Sequence, residues 1–473
     1  MNSINKNYSP NLFTVRLNWP LILGASASIS MCAFFNSYRI AAEIACLVLF
    51  LSVVALVLER PSVLLKYFAF FFAAAANISG VISVELLPSF YLSEIRTFTY
   101  FAGSLPLIVL GWWCFICVLY IADATTADKQ MGTRNEFSER AKKWLPLMSA
   151  GVFALCLMLF IRVFPHPSFA LGLDRFSYSS QYIQGVWGSL TSYMAFLIII
   201  PIVNIRENKS GIGIVTVALY CIYLFWTGTK FGDFFTVACL FCLVYFDKLK
   251  DLGVSALRKL VSVALCVCFA VIAFTGFAYS FTSSTSIADF YSIRTAQQGQ
   301  LWWSSFIRSD SSIHLSKFLK NEVPALFEDK SISENIGAQN GIYGMMYLSA
   351  PASVVDAKLS TGSRYTEAGF ACSYYYFGPF GVIAYGAITG LLAVFVVNGV
   401  LNALSRGEFL STVIQVRFFA LLRTARTMFI FSQFLTPLSL LCACYLLFKR
   451  TIRGGRNTAA SNQFISSFTE ADA

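Results

Sequence analysis

Apolar runs of about 20 residues recur along this chain, each long enough to cross the roughly 30 Å core of a bilayer as a helix. A spanning segment has no water to satisfy its peptide groups, so it must be a helix or a strand of a closed barrel. Barrel strands alternate polar and apolar residues over about ten positions; these runs do not alternate. The expected fold class is therefore all-α, a polytopic integral membrane protein. Composition agrees, with 57% hydrophobic and 12% charged residues, against about 25% charged in soluble domains.

About twelve spans are expected, over 18–35, 41–58, 67–87, 98–122, 145–164, 186–204, 211–227, 231–246, 260–281, 371–400, 408–422 and 428–448. They divide the chain into a first membrane region (1–281), one long polar loop (282–370), a second membrane region (371–450) and a polar, disordered tail (451–473). The polar start of the chain lacks the short apolar stretch and small-residue site of a cleavable leader.

Lys and Arg set the orientation, because they collect in cytoplasmic connections. Arg60 and Lys66, Lys142 and Lys143, Arg206 and Lys209, Lys248 and Lys250, and Arg406 fall in alternate connections, with further basic residues in both tails. Both termini are expected inside and the long loop outside. The net charge of +11 is read the same way; no basic stripe interleaved with aromatics suggests nucleic acid. The thirteen cysteines lie almost entirely in apolar runs and are expected to pack as small apolar groups.

Within the loop, 289–308 is expected to be amphipathic with aromatics at the membrane interface. Residues 321–340 are expected to be irregular, and 341–354 to form an interfacial or re-entrant helix too short to span.

Charged residues within or beside spans are functional candidates by default. Arg417 lies in the expected eleventh span, with Arg423 and Arg426 in a short outside turn beyond it. Arg294, Arg308 and Arg364 lie in the long loop. Lys230 sits in Thr227-Gly228-Thr229-Lys230-Phe231-Gly232-Asp233, either a tight turn with a Lys–Asp pair or a cation aimed into an outer cavity. The Arg fork matches phosphate oxygens, so this group is a candidate pyrophosphate site; the alternative for each is ordinary surface charge. Outside acids are Asp289, Asp310, Glu322, Glu328, Asp329, Glu334, Asp356 and Glu367. Glu367 and Asp356 are preferred as a general base because they flank Arg364 near the next span. Trp302, Trp303, Tyr343 and Tyr375 can stack on sugar faces or anchor the interface. The two histidines, His166 and His314, form no metal-ligand spacing, and no metal or cofactor is expected.

Several of these stretches together carry a family resemblance. They are the Thr227–Lys230 turn, Arg294-Thr295-Ala296-Gln297-Gln298-Gly299-Gln300-Leu301-Trp302-Trp303, Thr366-Glu367-Ala368-Gly369-Phe370 followed by Tyr376-Phe377-Gly378-Pro379-Phe380-Gly381, and the Arg-rich segment before the last span. The layout resembles Wzy-type O-antigen or oligosaccharide repeat-unit polymerases, whose fold is GT-C-like with one large periplasmic loop. The resemblance implies transfer of a growing glycan from undecaprenyl pyrophosphate to the terminal sugar of a fresh lipid-linked repeat unit. It also implies a Gram-negative inner membrane, a chain-length-determinant co-polymerase as partner, and no metal. Lys230, Arg294, Arg364, Glu367, Arg417, Arg423 and Arg426 are the matching polar positions. An O-antigen ligase is the nearest alternative, although His314 lacks the Gly-containing surroundings such ligases carry. A flippase for lipid-linked oligosaccharide is the alternative of another class; the dominant late loop argues against it.

Overall fold

The computed structural model describes residues 17–127, 137, 139–172, 175–229, 231–250, 287–328, 330, 332–449 and 451. The expected ninth span, Lys230, Asp329 and nearly all of the tail lie outside these residues.

The described chain is helical apart from one small antiparallel hairpin pairing Tyr91–Leu92 with Thr97–Phe98. In order the helices are α1 (Trp19–Phe34), α2 (Arg39–Glu59), α3 (Pro61–Lys66), α4 (Phe68–Glu85), α5 (Leu105–Ala127), α6 (Glu139–Val163), α7 (Ser168–Leu171), α8 (Arg175–Tyr182), α9 (Val186–Leu197), α10 (Ile199–Asn208), α11 (Gly211–Trp226), α12 (Phe231–Val244) and α13 (Phe246–Lys250). There follow α14 (Ile287–Ala296), α15 (Gln300–Arg308), α16 (Leu315–Ala325), α17 (Gly341–Ser349), α18 (Ala352–Ser360), α19 (Ala368–Ser405), α20 (Phe409–Met428) and α21 (Pro437–Lys449).

Among the described residues, six segments are long and apolar enough to cross a membrane: α2, α4, Leu105–Thr125, Ala141–Leu171, Val186–Asn208 and α19. Their outward faces are what a bilayer requires. In α2 the buried positions are Ala41, Ala42, Ala45, Leu49, Ser52 and Leu56, while Leu47, Phe50, Leu51, Val54 and Leu58 point outward. A helix apolar on all sides is a core helix or a membrane span, and α2 is not in the core. The chain is an α-helical membrane-embedded protein.

Contacts at the helix ends sort into two sets, and each set joins connections expected on one side. At one end, Arg39 donates to the Leu86 carbonyl at 2.7 Å, Trp226 to the Phe164 carbonyl at 3.1 Å, and Lys358 pairs with Glu94 at 2.7 Å. At the other, Lys66 pairs with Asp123 at 2.7 Å, Arg206 with Asp247 at 3.0 Å and Lys449 with Glu408 at 2.7 Å.

The expected tenth span is not one continuous rod. Gly378 has φ 61° and ψ −155°, which breaks α19. A Cβ on Gly381 would lie 2.2 Å from the Ser373 carbonyl, and the rings of Phe370 and Tyr385 meet at 5.3 Å. In a straight helix, residues eight or fifteen apart are about 12 or 22 Å apart. Residues 368–377 therefore fold back, antiparallel, against the start of 379–405. The hairpin needs Gly at 378, because φ there is positive and a Cβ would lie 2.5 Å from the Ser311 carbonyl.

One expectation about the loop is corrected. Residues 300–308 are not interfacial: Trp302 and Trp303 are both fully buried, their indole N–H groups donating to the Ser104 and Tyr100 carbonyls. The outward amphipathic helix is instead α16, whose Leu315, Leu319 and Val323 form an exposed row that Phe327, just past the helix, continues. Residues 341–354 hold a short helix, α17, whose Ile342, Tyr343, Met345 and Met346 are buried in protein.

Candidate functional site

The end of α20 builds the site. Arg423 and Arg426 stand three residues apart and so share a face. The turn expected to hold them does not exist there: α20 continues to Met428 and is closed by Phe429 at φ 55°. Helix-favouring Ala, Leu and Arg residues carry it past the expected end.

Arg426 pairs with Glu367 at 3.1 Å, its side chain 4% exposed and that of Glu367 10%. The guanidinium also lies 4.8 Å from the Trp112 ring centroid. Arg423 donates to the Thr236 hydroxyl, lies 6.0 Å from the Phe419 ring and feels the charge of Asp233. Both arginines and Glu367 line a cavity of about 150 Å³. Its other walls include Ala69, Phe72, Ala73 and Ala76 of α4, Gly232 and Phe235 of α12, Gln298 and Thr427. The alanines leave the space; Phe72, 45% exposed, brings the wall to the outward surface.

Backbone geometry forces Glu367 onto Arg426. Glu367 is the N-cap of α19 with φ 59° and ψ 49°, a left-handed conformation rare for a residue with a Cβ. Gly369 then packs so tightly that a Cβ would lie 2.3 Å from both the Arg426 carbonyl and the Tyr385 hydroxyl. That hydroxyl donates to the same carbonyl at 2.6 Å. Burial pushes the Glu367 carboxyl above its usual range, and the charge and hydrogen bond of Arg426 pull it back.

Depth follows from the partners. Trp112 lies seven residues into α5, about 10 Å below that helix's end. Non-helical backbone is tolerated at such depth only where it is buried in protein or lines a cavity. Both irregular segments here meet that condition. The Asn77 amide donates to the Gln298 carbonyl at 2.7 Å and accepts from the Trp112 indole at 3.0 Å. A Cβ on Gly80 would lie 2.4 Å from the Gly299 nitrogen, so α4 and the 297–299 turn touch backbone to backbone.

A second polar group is buried nearby. One oxygen of Glu322 accepts from the Gly341 N–H and the Tyr376 hydroxyl, both at 2.7 Å. Burial pushes its carboxyl up to about 7, against the lowering effect of those two bonds.

The other candidates lie elsewhere. Arg308 clamps α15 to the end of α17 through the Leu348 carbonyl at 3.0 Å and the Ser349 carbonyl at 2.5 Å. Arg364 reaches the Tyr343 hydroxyl at 3.5 Å, and Tyr343 is buried. Asp356 accepts from Tyr347 at 2.5 Å, a bond that ties α18 to α17. Arg294 is exposed and donates to Gln297 at 3.0 Å. Arg417 donates to Ser439 at 3.1 Å and faces the Phe196 ring, joining α20 to α21 and α9. Trp302 and Trp303 have no face open to a sugar, because the core covers both. Tyr375 is half-buried beside Lys317.

Asn77, Gln298, Thr236 and Trp112 are the polar or aromatic partners that the sequence reading did not select, and Glu322 stood among the outside acids without being preferred. Asn77 had a legible signal, a lone amide after Ala73–Ala76 in an apolar run. Thr236 and Trp112 had none.

A family model described as a family of unknown function (DUF6418) matches residues 335–442. That stretch holds Glu367, Gly369, Arg423 and Arg426 and leaves out Gln298 and Glu322. No curated protein and no solved structure matches the chain.

Proposed function

We propose that this chain is a lipid-linked oligosaccharide polymerase of the O-antigen type. It would move the growing glycan from undecaprenyl pyrophosphate to the terminal sugar hydroxyl of a new lipid-linked repeat unit. The observation that carries this reading is the cavity shared by Arg423, Arg426 and Glu367, about 10 Å below the bundle end by helix rise and reaching the lipid-facing surface at Phe72. A polyprenyl tail can remain in the bilayer while its pyrophosphate meets the two guanidiniums.

In the reaction, the bond from the donor's anomeric carbon to the pyrophosphate oxygen breaks and a bond to the acceptor hydroxyl oxygen forms. The pyrophosphate leaves with the bonding electron pair, and Arg423 and Arg426 offset its charge. The acceptor proton passes to Glu367, whose raised affinity for protons suits a base working near neutral pH. The proposal includes about twelve spans, a GT-C-like fold, a bacterial inner membrane, cytoplasmic termini, a periplasmic site and a chain-length co-polymerase. Lys230 belongs to it as a further cation, two residues from Gly232 of the cavity wall.

The test is surface-polysaccharide length in cells where Glu367→Gln or Arg423→Gln replaces the native chain, with membrane insertion checked by immunoblot. Removing a general base costs roughly 10²- to 10⁴-fold in rate, so lipopolysaccharide should collapse to core capped by one repeat unit. Bare core with lipid-linked polymer accumulating would identify a ligase. Lipid-linked single units retained on the cytoplasmic face would identify a flippase. An unchanged ladder in both variants would remove the proposal.

A further inference from the structure

A second cavity, also about 150 Å³, lies at Phe429–Phe431, just past the end of α20. Its walls are mainly aromatic and aliphatic, with Phe318, Leu326, Phe429 and Phe431 prominent. Only Glu322 and Asn340 bring polar side chains to it. Glu322 is buried, and both of its hydrogen bonds fall on Oε1. Its second oxygen has no hydrogen-bond partner among the described residues. Asn340 is the N-cap of α17 but makes no side-chain capping bond. A carboxyl oxygen and an amide thus converge, unspent, on an apolar chamber.

A ligand for this chamber needs an apolar face for the phenyl rings and an O–H or N–H at its rim. A pyranose has both: axial C–H groups on one face and hydroxyl or acetamido groups around the edge. An anion fits poorly, since it would meet the Glu322 carboxyl.

We propose that the Glu322 cavity is a sugar subsite, taking one neutral hexose or N-acetylhexosamine ring, with Glu322 Oε2 sharing a hydrogen bond with a sugar hydroxyl or acetamido group and Asn340 binding a second edge group. The two cavities are close. Thr427 lines the first and Phe429 the second, and two residues span at most about 7 Å. A glycan with its reacting end at Glu367 thus has a sugar-sized chamber beside it for a further ring. Assigning the bound ring to the lipid-linked glycan rests on the polymerase reading; the sugar site itself does not.

The test uses the purified full-length protein in detergent micelles and an apolar carbodiimide, which attacks protonated carboxyl groups in apolar sites. Tyr376 and Cys372 are the titratable groups that interact with Glu322, and neither is a carboxyl that would compete for the reagent. Mass spectrometry should find the adduct on Glu322 below neutral pH and none at that position in Glu322→Gln. High-millimolar glucose, galactose, N-acetylglucosamine or N-acetylgalactosamine, tested singly, should slow labelling severalfold for at least one sugar. The same protection should persist in Arg423→Gln, which removes a cation from the other cavity. Labelling that no sugar slows would overturn the proposal, as would absence of labelling. Retained protection with an unchanged polymer ladder in Glu367→Gln and Arg423→Gln would remove the polymerase reading and leave the sugar site standing.

Discussion

The Glu367–Arg426 pair can be tested as a unit by a double-mutant cycle with Arg426→Met, Glu367→Gln and the combined variant. At the observed separation of 3.1 Å, two unit charges attract by about 5 kcal/mol at an effective dielectric of about 20. Most of that attraction offsets the cost of removing both groups from water, so the pair adds little net stability. Removing one partner is different. Arg426→Met leaves the carboxylate without its ion-pair partner, the cavity's other cation, Arg423, being bonded to Thr236, and Glu367→Gln leaves an uncompensated guanidinium over Trp112. Each single change should cost about 3–5 kcal/mol. The double variant should cost less than the sum by about 2–3 kcal/mol, the upper range for groups in direct contact. Unfolding free energies would be read from tryptophan fluorescence in mixed micelles at low and high salt, with little salt dependence because the pair is buried. Costs that add to within about 0.5 kcal/mol would refute the reasoning, since they would mean the two groups do not share one desolvated site.

Three further outcomes follow from single residues. Glu322 holds its proton to about 7 in the fold against an ordinary 4.5, so the folded state binds the proton more tightly than the unfolded chain. The associated stability, about 3 kcal/mol, is complete below the unfolded value and is lost as pH rises through about 7. Unfolding of the native chain should therefore become easier between about pH 5 and pH 8.5, and Glu322→Gln should remove that component of the slope. Gly369→Ala should destabilise by at least about 1–3 kcal/mol through overpacking against Arg426 and Tyr385. Gly151→Ala, where nothing lies within 4 Å, should instead stabilise by about 0.5–1 kcal/mol; equal effects at the two glycines in the same unfolding assay would count against the tight contact.

Pattern and chemistry overlapped unevenly in the sequence. Glu367 and Arg426 were both legible, the first beside the tenth span and the second as an Arg in an unexpected place. Their contact was not legible, because they are 59 residues apart in sequence. It depends on the left-handed turn at 367 and the close approach at Gly369. Arg308, Arg364, Asp356 and the two tryptophans had the same residue types and the same sidedness as the site. What separated them was the local partner: a carbonyl, a phenol or a covered ring face, none of which leaves a periodic trace.

By itself, the sequence determined the membrane class, the helical secondary structure and the sorting of connections into two ends. Those properties follow from segment length, hydrophobicity and the need of each spanning backbone to satisfy its own hydrogen bonds. Only the tertiary structure decided that residues 368–377 fold back, that α20 runs on through both arginines, and which charges share a cavity. These depend on a few backbone angles and on contacts between distant segments, and a hydrophobicity pattern carries neither.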